Sequence, residues 1–202
     1  MKRITTKQNK IISLLKNKGI IRPCELDEFN IPREVLRRLC QRGTVLRIGR
    51  GLYRLPLAPV SEHYTLAEAS RSVPAGVICL LSALRFHGLT TQAPHEIWIA
   101  IHNKGYAPKT TLPVCFMRFS GSALTEGVVV HNVEGVDVKV YCPAKTVVDC
   151  FKFRNKIGLD VALEALRESQ RAGICTIDEI WQYAKICRVH VVIRPYMEAM
   201  TL

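Results

Sequence analysis

The stretch REVLRRLCQRGTVLRIGRGLYRL, residues 33–55, changes its hydrophobic period halfway along, and few folds accept that change. Val35, Leu36, Leu39 and Cys40 recur at i, i+1, i+4 and i+5, one stripe of a helix. Pro32 sits where prolines open helices, and Gly43 where glycines end them. Two short β-prone runs, 45–48 and 52–55, then flank Gly49-Arg50-Gly51, which predicts a tight hairpin. Two helices precede. The first covers 5–17, with Thr5 and Gln8 at capping-box spacing, an apolar stripe of Ile11, Ile12, Leu14 and Leu15, and Gly19 as its stop. Ile20-Ile21 is short enough for a two-residue strand. The second helix opens at Pro23 and runs through Leu26 and Phe29 to Asn30. Three helices followed by a hairpin is the order of a winged helix-turn-helix.

Charge falls unevenly on this framework. Of a net +12, residues 1–55 carry 14 Lys and Arg against 4 Asp and Glu, a net +10; the remaining 147 residues carry 15 against 13. So local an excess predicts a polyanionic partner for the first quarter of the chain. Helical spacing sorts the cations. Arg33, Arg37 and Gln41 step by four along one face of the third helix and are the candidate base readers, since Arg matches guanine and Gln adenine in the major groove. Arg38 and Arg42 run beside them as candidate phosphate contacts, and Arg47 and Arg50 lie on the wing, toward backbone or minor groove. Arg54 belongs either to the wing or to the sheet rim. Double-stranded DNA fits better than RNA, whose A-form major groove does not admit a helix, and no aromatic stacking platform is visible.

Prolines and few packing residues mark 57–62 as a linker between a domain of residues 1–56 and one of residues 63–202. In the second, Tyr64–Ser72 and 77–87 read as helices, and 97–101 and Val114–Phe119 as strands. Val128–Val133 and Val136–Tyr141 read as a hairpin around Glu134-Gly135. Helices follow from Pro143, over Leu159–Arg171 and from a Thr176/Glu179 capping box to Ile186; the last segment, 191–200, carries Pro195. The expected class is α+β: an N-terminal winged helix-turn-helix, then a small antiparallel sheet with helices packed on it.

Motifs for chemistry are sparse. No phosphate loop, nucleophile elbow or zinc-protease pattern is present, and the eight cysteines form no CxxC pair, which fits reduced thiols in a cytoplasmic protein. No apolar run is long enough to span a bilayer. Asp137-Val138-Lys139 has the D-x-K form of Mg²⁺-dependent nucleases, with Glu126 and Glu96 as candidate second carboxylates; it is equally the outer face of an alternating strand. His87, before Gly88, reads as a capping or packing group. No cofactor, metal or catalytic residue is expected.

The order and spacing of three segments, LRRLCQRGTVLRIGRGLYRLP, SALRFHGL (82–89) and CPAKTVVDCFKF (142–153), resemble the AbiE-type antitoxins of type IV toxin–antitoxin systems. Lys145 stands where that pattern commonly has arginine. Pro143 or Thr146 would serve the N-terminus of that helix, and Asp149 would pair with a neighbouring basic group. The resemblance implies a winged helix that represses its own operon, by binding operator DNA at its own promoter. It also implies a second domain needed for antitoxicity against a nucleotidyltransferase-like toxin. The alternatives are a Mg²⁺-dependent endonuclease with a winged-helix targeting domain and a stand-alone regulator that answers an effector.

Overall fold

A computed structural model describes residues 2–49, 51–56, 63–133 and 135–200. They form two compact units. One comprises Met1–Pro74, Pro108–Leu112 and His131–Val138; the other comprises Ala75–Ala107, Pro113–Val130 and Lys139–Leu202.

The first unit opens with α1 (Lys2–Lys18), which starts earlier than the capping-box spacing suggested. Nothing in Lys2-Arg3-Ile4 breaks a helix, so Thr5 is an interior residue and no cap. Gly19 ends it with φ 66°, its N–H on the Leu15 carbonyl. After β1 (Ile20–Ile21) the expected second helix is a 3₁₀ helix, Pro23–Phe29, closed by Asn30 in the left-handed region. α2 (Arg33–Gln41) follows from Pro32 and stops at Gly43, whose φ is +70°. Leu36 and Leu39 of α2 are buried with Ile11, Leu15, Ile21, Leu26 and Ile31, and Val35 and Cys40 pack at the edge of that cluster. This core anchors the helix and leaves its other face in water.

The wing is β2 (Leu46–Gly49) and β3 (Leu52–Arg54), antiparallel, with Gly49 paired to Leu52. Gly49 is therefore a strand residue, and the turn is shorter than Gly-Arg-Gly suggested. Gly51 carries the turn's left-handed φ of +71°, and a bulge lies between Arg47 and Gly49. β1 pairs with the other side of β3, giving the order β1-β3-β2. α3 (Tyr64–Ser72) belongs to this unit: the Arg54 guanidinium sits 4.9 Å over the Tyr64 ring. Arg71 of α3 pairs with Glu25 at 2.7 Å and donates to the Ile20 carbonyl. The expected linker, 57–62, lies outside the described residues.

The second unit holds β4 (Val77–Ile78), β5 (Ile97–His102) and β6 (Val114–Phe119), with the start of β7 (Val128–Val133) and the end of β8 (Val136–Tyr141); the five strands are ordered β6-β5-β4-β8-β7. Its helices are α4 (Leu80–Phe86), α5 (Ser122–Thr125), α6 (Pro143–Lys152), α7 (Arg154–Ile157), α8 (Leu159–Arg171), α9 (Ile177–Ile186) and α10 (His190–Met200), the last containing Pro195. The mixed α and β class is as the sequence implied. The pairings are more varied than an antiparallel sheet: β4–β5 is antiparallel, whereas β5–β6 and β4–β8 are parallel. Residues 77–87 are not one helix. Val77–Ile78 takes an inner sheet position, and the chain turns into α4 at Leu80, with φ 47° and no exposure. Such strain costs about 1–2 kcal/mol and persists because the core holds it. His87 caps α4, and its Nε2–H donates to the Tyr141 carbonyl at 2.7 Å. Thr176 and Glu179 form the expected capping box of α9.

At the centre of this unit lies an ion pair. Lys145 Nζ is 2.5 Å from Asp149 Oδ2, one helical turn apart on α6, and neither side chain is exposed. The ammonium also lies 4.1 Å from the Tyr141 ring centroid and 5.0 Å from that of Phe119. The Cys187 thiol donates to Asp149 Oδ1 at 3.5 Å. Burial pushes the Asp149 carboxyl upward, against the pull of Lys145. Thr146 donates to the Tyr141 carbonyl, which ties the start of α6 to the end of β8.

Two outcomes follow from these contacts. Asp149→Asn leaves a buried ammonium without its counter-charge and should cost about 3–5 kcal/mol, whereas the pair Lys145→Met/Asp149→Leu should cost far less; chemical unfolding followed by Trp98 and Trp181 fluorescence measures both. In the first unit, burial acts to raise Glu25, but hydrogen bonds from Lys18 and the Arg22 N–H, together with Arg71, hold it below the usual carboxylate range. Its contribution is therefore complete above the unfolded value of about 4.3 and is lost as pH falls through the lower folded value. Hydrogen exchange of the β1–β3 amides should show wild-type protection falling in that acid window. Glu25→Gln should show protection already lowered at pH 7, by about 1–2 kcal/mol, and a flatter acid response.

Candidate nucleic-acid interface

The buried stripe of α2 dictates what its outer face holds. With Leu36 and Leu39 inward, Arg33, Arg37, Arg38, Gln41 and Arg42 are all exposed. Arg33 to Gln41 spans about 12 Å along the axis at 1.5 Å per residue, close to the width of a B-DNA major groove and to three or four base-pair steps. Arg47 is exposed on β2, its Nε on the Gly49 carbonyl at 3.2 Å, so its stem is laid along the wing. Arg50, expected at the wing tip, lies outside the described residues. Arg54 is not on this surface: it is half-buried in the central strand β3, over Tyr64, and pulls on the buried Glu68 of α3. Paired to Ile20 on one side and Leu46 on the other, Arg54 lies in the middle of the three-stranded sheet and not at its rim.

The cations differ in how they are held. Arg33 Nη2 pairs with Asp27 at 3.1 Å across the turn before α2. Arg37 makes a fork to Glu34, with Nε to Oε2 at 2.9 Å and Nη2 to Oε1 at 3.1 Å. Arg38 Nε reaches the same carboxylate at 3.4 Å. The Arg37 hydrogen bond, first among its causes, holds Glu34 below the usual carboxylate range. All three arginines are more than half exposed, so these pairs orient side chains more than they stabilise the unit. Gln41 and Arg42 have no side-chain partner among the described residues.

Two cations escaped the sequence reading. Lys7 Nζ donates to the Asn30 carbonyl at 3.1 Å, and Lys10 lies 4.7 Å over the Phe29 ring. Both come from α1 yet sit at the turn that leads into α2, so they extend its positive surface. Their signal is an i, i+3 spacing on α1, but only the fold shows which turn they face.

The D-x-K residues follow strand alternation: Asp137 and Lys139 are exposed, while Val136, Val138 and Val140 are buried. Asp137 accepts from Asn132 Nδ2 at 3.4 Å. Among the described residues no group of three or more His, Cys, Asp or Glu is placed to hold a metal ion. All eight cysteines are free thiols; Cys79, Cys150 and Cys187 are buried and Cys24 is exposed. No helix among the described residues is long and apolar enough to cross a membrane.

No curated protein matches the chain. Residues 9–56, which run from within α1 to the end of the wing, match the family described as "Transcriptional regulator, AbiEi antitoxin". Over those residues the chain is thus similar to the AbiEi antitoxin transcriptional regulators, the family its sequence resembles.

Proposed function

We propose that the protein is a cytoplasmic, double-stranded-DNA-binding repressor of its own operon. In this reading it is also the antitoxin of a type IV system that counters a nucleotidyltransferase-like toxin, and it acts without catalysis. The observation that carries the reading is the arrangement of α2 and the wing. One helix is anchored by Leu36 and Leu39 and turns a face of four arginines and a glutamine outward, beside a hairpin that bears Arg47. A helix so placed fills a major groove, and the flanking cations meet phosphates. The family match over residues 9–56 supports regulation and antitoxicity in the same direction. Operon, toxin and the role of the second unit rest on the resemblance.

Salt dependence tests the DNA reading. With about six phosphates contacted, log K for a duplex should fall against log salt with a slope near −5; a Kd indifferent to salt would sink it. Arg42→Ala should weaken binding to every duplex alike and reduce the slope by about one, whereas Arg37→Ala should also flatten base preference, by about 1–3 kcal/mol at one position. A reporter driven by the chain's own upstream region reads repression, and co-expression with a nucleotidyltransferase encoded beside it reads antitoxicity. Repression without protection would favour the stand-alone regulator. Incubation of the protein with plasmid and Mg²⁺ or Mn²⁺ should leave the DNA intact; cleavage that Asp137→Ala abolishes would make the nuclease reading the correct one.

A further inference from the structure

Glu34 is the one acid between residues 29 and 55, and it stands in the first turn of the helix that carries the reading face. A carboxylate there is a liability for a protein that binds phosphates, since it repels the ligand's backbone. The geometry shows what it does in return. Its fork engages the Nε and Nη2 edge of Arg37 at 2.9 and 3.1 Å. Nη1 of Arg37 makes no hydrogen bond among the described residues. Nη1 and the outer hydrogen of Nη2 therefore remain as a pair of parallel donors at the tip of the guanidinium. Two parallel donors match guanine O6 and N7 in the major groove. A freely rotating guanidinium would take any phosphate oxygen within reach; one clamped on its Nε edge offers a single, directed pair.

We infer that Glu34 is a positioning residue that sets sequence specificity: it aims Arg37 at a guanine edge and weakens binding to duplexes that lack that guanine. This rests on the proposed DNA binding by α2. In non-specific contact the clamped Arg37 meets no guanine edge, and the Glu34 charge offsets part of the attraction that Arg37 and Arg38 exert on phosphate. In specific contact the clamp is kept, and the guanine supplies the remaining partners of Arg37. Removing the charge should therefore have opposite effects on the two kinds of complex, a signature that lost stability does not produce.

The experiment compares wild type with Glu34→Gln, which keeps the side chain's size and one acceptor. Each protein selects duplexes from a randomised pool, and each is then titrated by fluorescence anisotropy against the wild-type-selected duplex and a random-sequence duplex at fixed salt. Wild type should enrich a motif in which replacing one guanine weakens binding about tenfold or more. Glu34→Gln should lose preference at that position and keep the others, and should bind the random duplex about threefold or more tightly than wild type does. Arg37→Lys should lose the same position without gaining affinity for the random duplex. An unchanged motif in Glu34→Gln, an equal loss at all positions, or a random-duplex affinity that does not rise would each overturn the inference while leaving DNA binding in place. No salt-dependent binding by wild type to either duplex would instead remove the proposed function itself.

Discussion

Like-charge crowding is the constraint on the first unit. Fourteen cations share 55 residues with four acids. Two unit charges about 4 Å apart interact by about 1 kcal/mol in bulk water and by about 4 kcal/mol near a protein surface, and screening sets in over about 8 Å at physiological salt. A fold that gathered these side chains carelessly would lose a good part of a marginal stability. The acids stand where the crowding is worst. Glu25 binds Lys18 and Arg71 on the less exposed side of the unit, while Asp27 and Glu34 serve Arg33, Arg37 and Arg38 at the mouth of α2. Everything else in the unit, from the turn at Asn30 to the docking of α3, surrounds that distribution.

The second unit meets the opposite problem. It carries far less excess charge for its length, 13 Lys and Arg against 9 Asp and Glu, and its characteristic pair is hidden rather than displayed. Lys145 and Asp149 are in the core, with the faces of Tyr141 and Phe119 on the ammonium and the Cys187 thiol on the carboxylate. A buried pair of this kind seldom adds net stability against an apolar replacement. It does penalise any packing that separates the two groups. Its partners come from β6, β8, α6 and the end of α9, so the pair can form only when those elements are in register. The motif PAKTVVD, legible as the start of a helix, is thus also the centre of the unit's core.

How far the sequence could be read depended on whether a local signal carried the information. The stripe at Val35, Leu36, Leu39 and Cys40, the glycines at 43 and 51, and the Thr176–Glu179 box all act within a turn or two, and each produced its element. Residues 77–87 misled because their period suits a helix throughout. What makes Val77–Ile78 a strand is the pairing offered by β5 and β8, remote in sequence, and no glycine or proline marks the break at Leu80. The 3₁₀ form of residues 23–29 and the parallel β5–β6 pairing were hidden for the same reason. On the candidate surface, the exposed set on α2 followed from periodicity. Arg54 did not, because its place in the central strand is set by β1 pairing with the far side of β3. The Arg33–Asp27 pair crosses a turn whose geometry no spacing rule supplies.

The acids also divide the cations more finely than helical position does. Spacing alone groups Arg38 with Arg42 as a phosphate flank. In the fold Arg38 shares Glu34 with Arg37, while Arg42 has no side-chain partner among the described residues and Arg47 bonds only a backbone carbonyl on its own strand. A cation without an acid gives up only water and mobile ions when it meets a phosphate, so its attraction is almost wholly counterion release. A cation already on a carboxylate must exchange that partner or keep it, and it gains only where the incoming group fits the donors left over. On the proposed reading, Arg42 and Arg47 would hold any duplex, whereas Arg33, Arg37 and Arg38, each on a carboxylate, would engage only where a base edge fits their remaining donors. In the proposed complex two acids, Asp27 and Glu34, would thus divide the positive surface into a part indifferent to sequence and a part that selects.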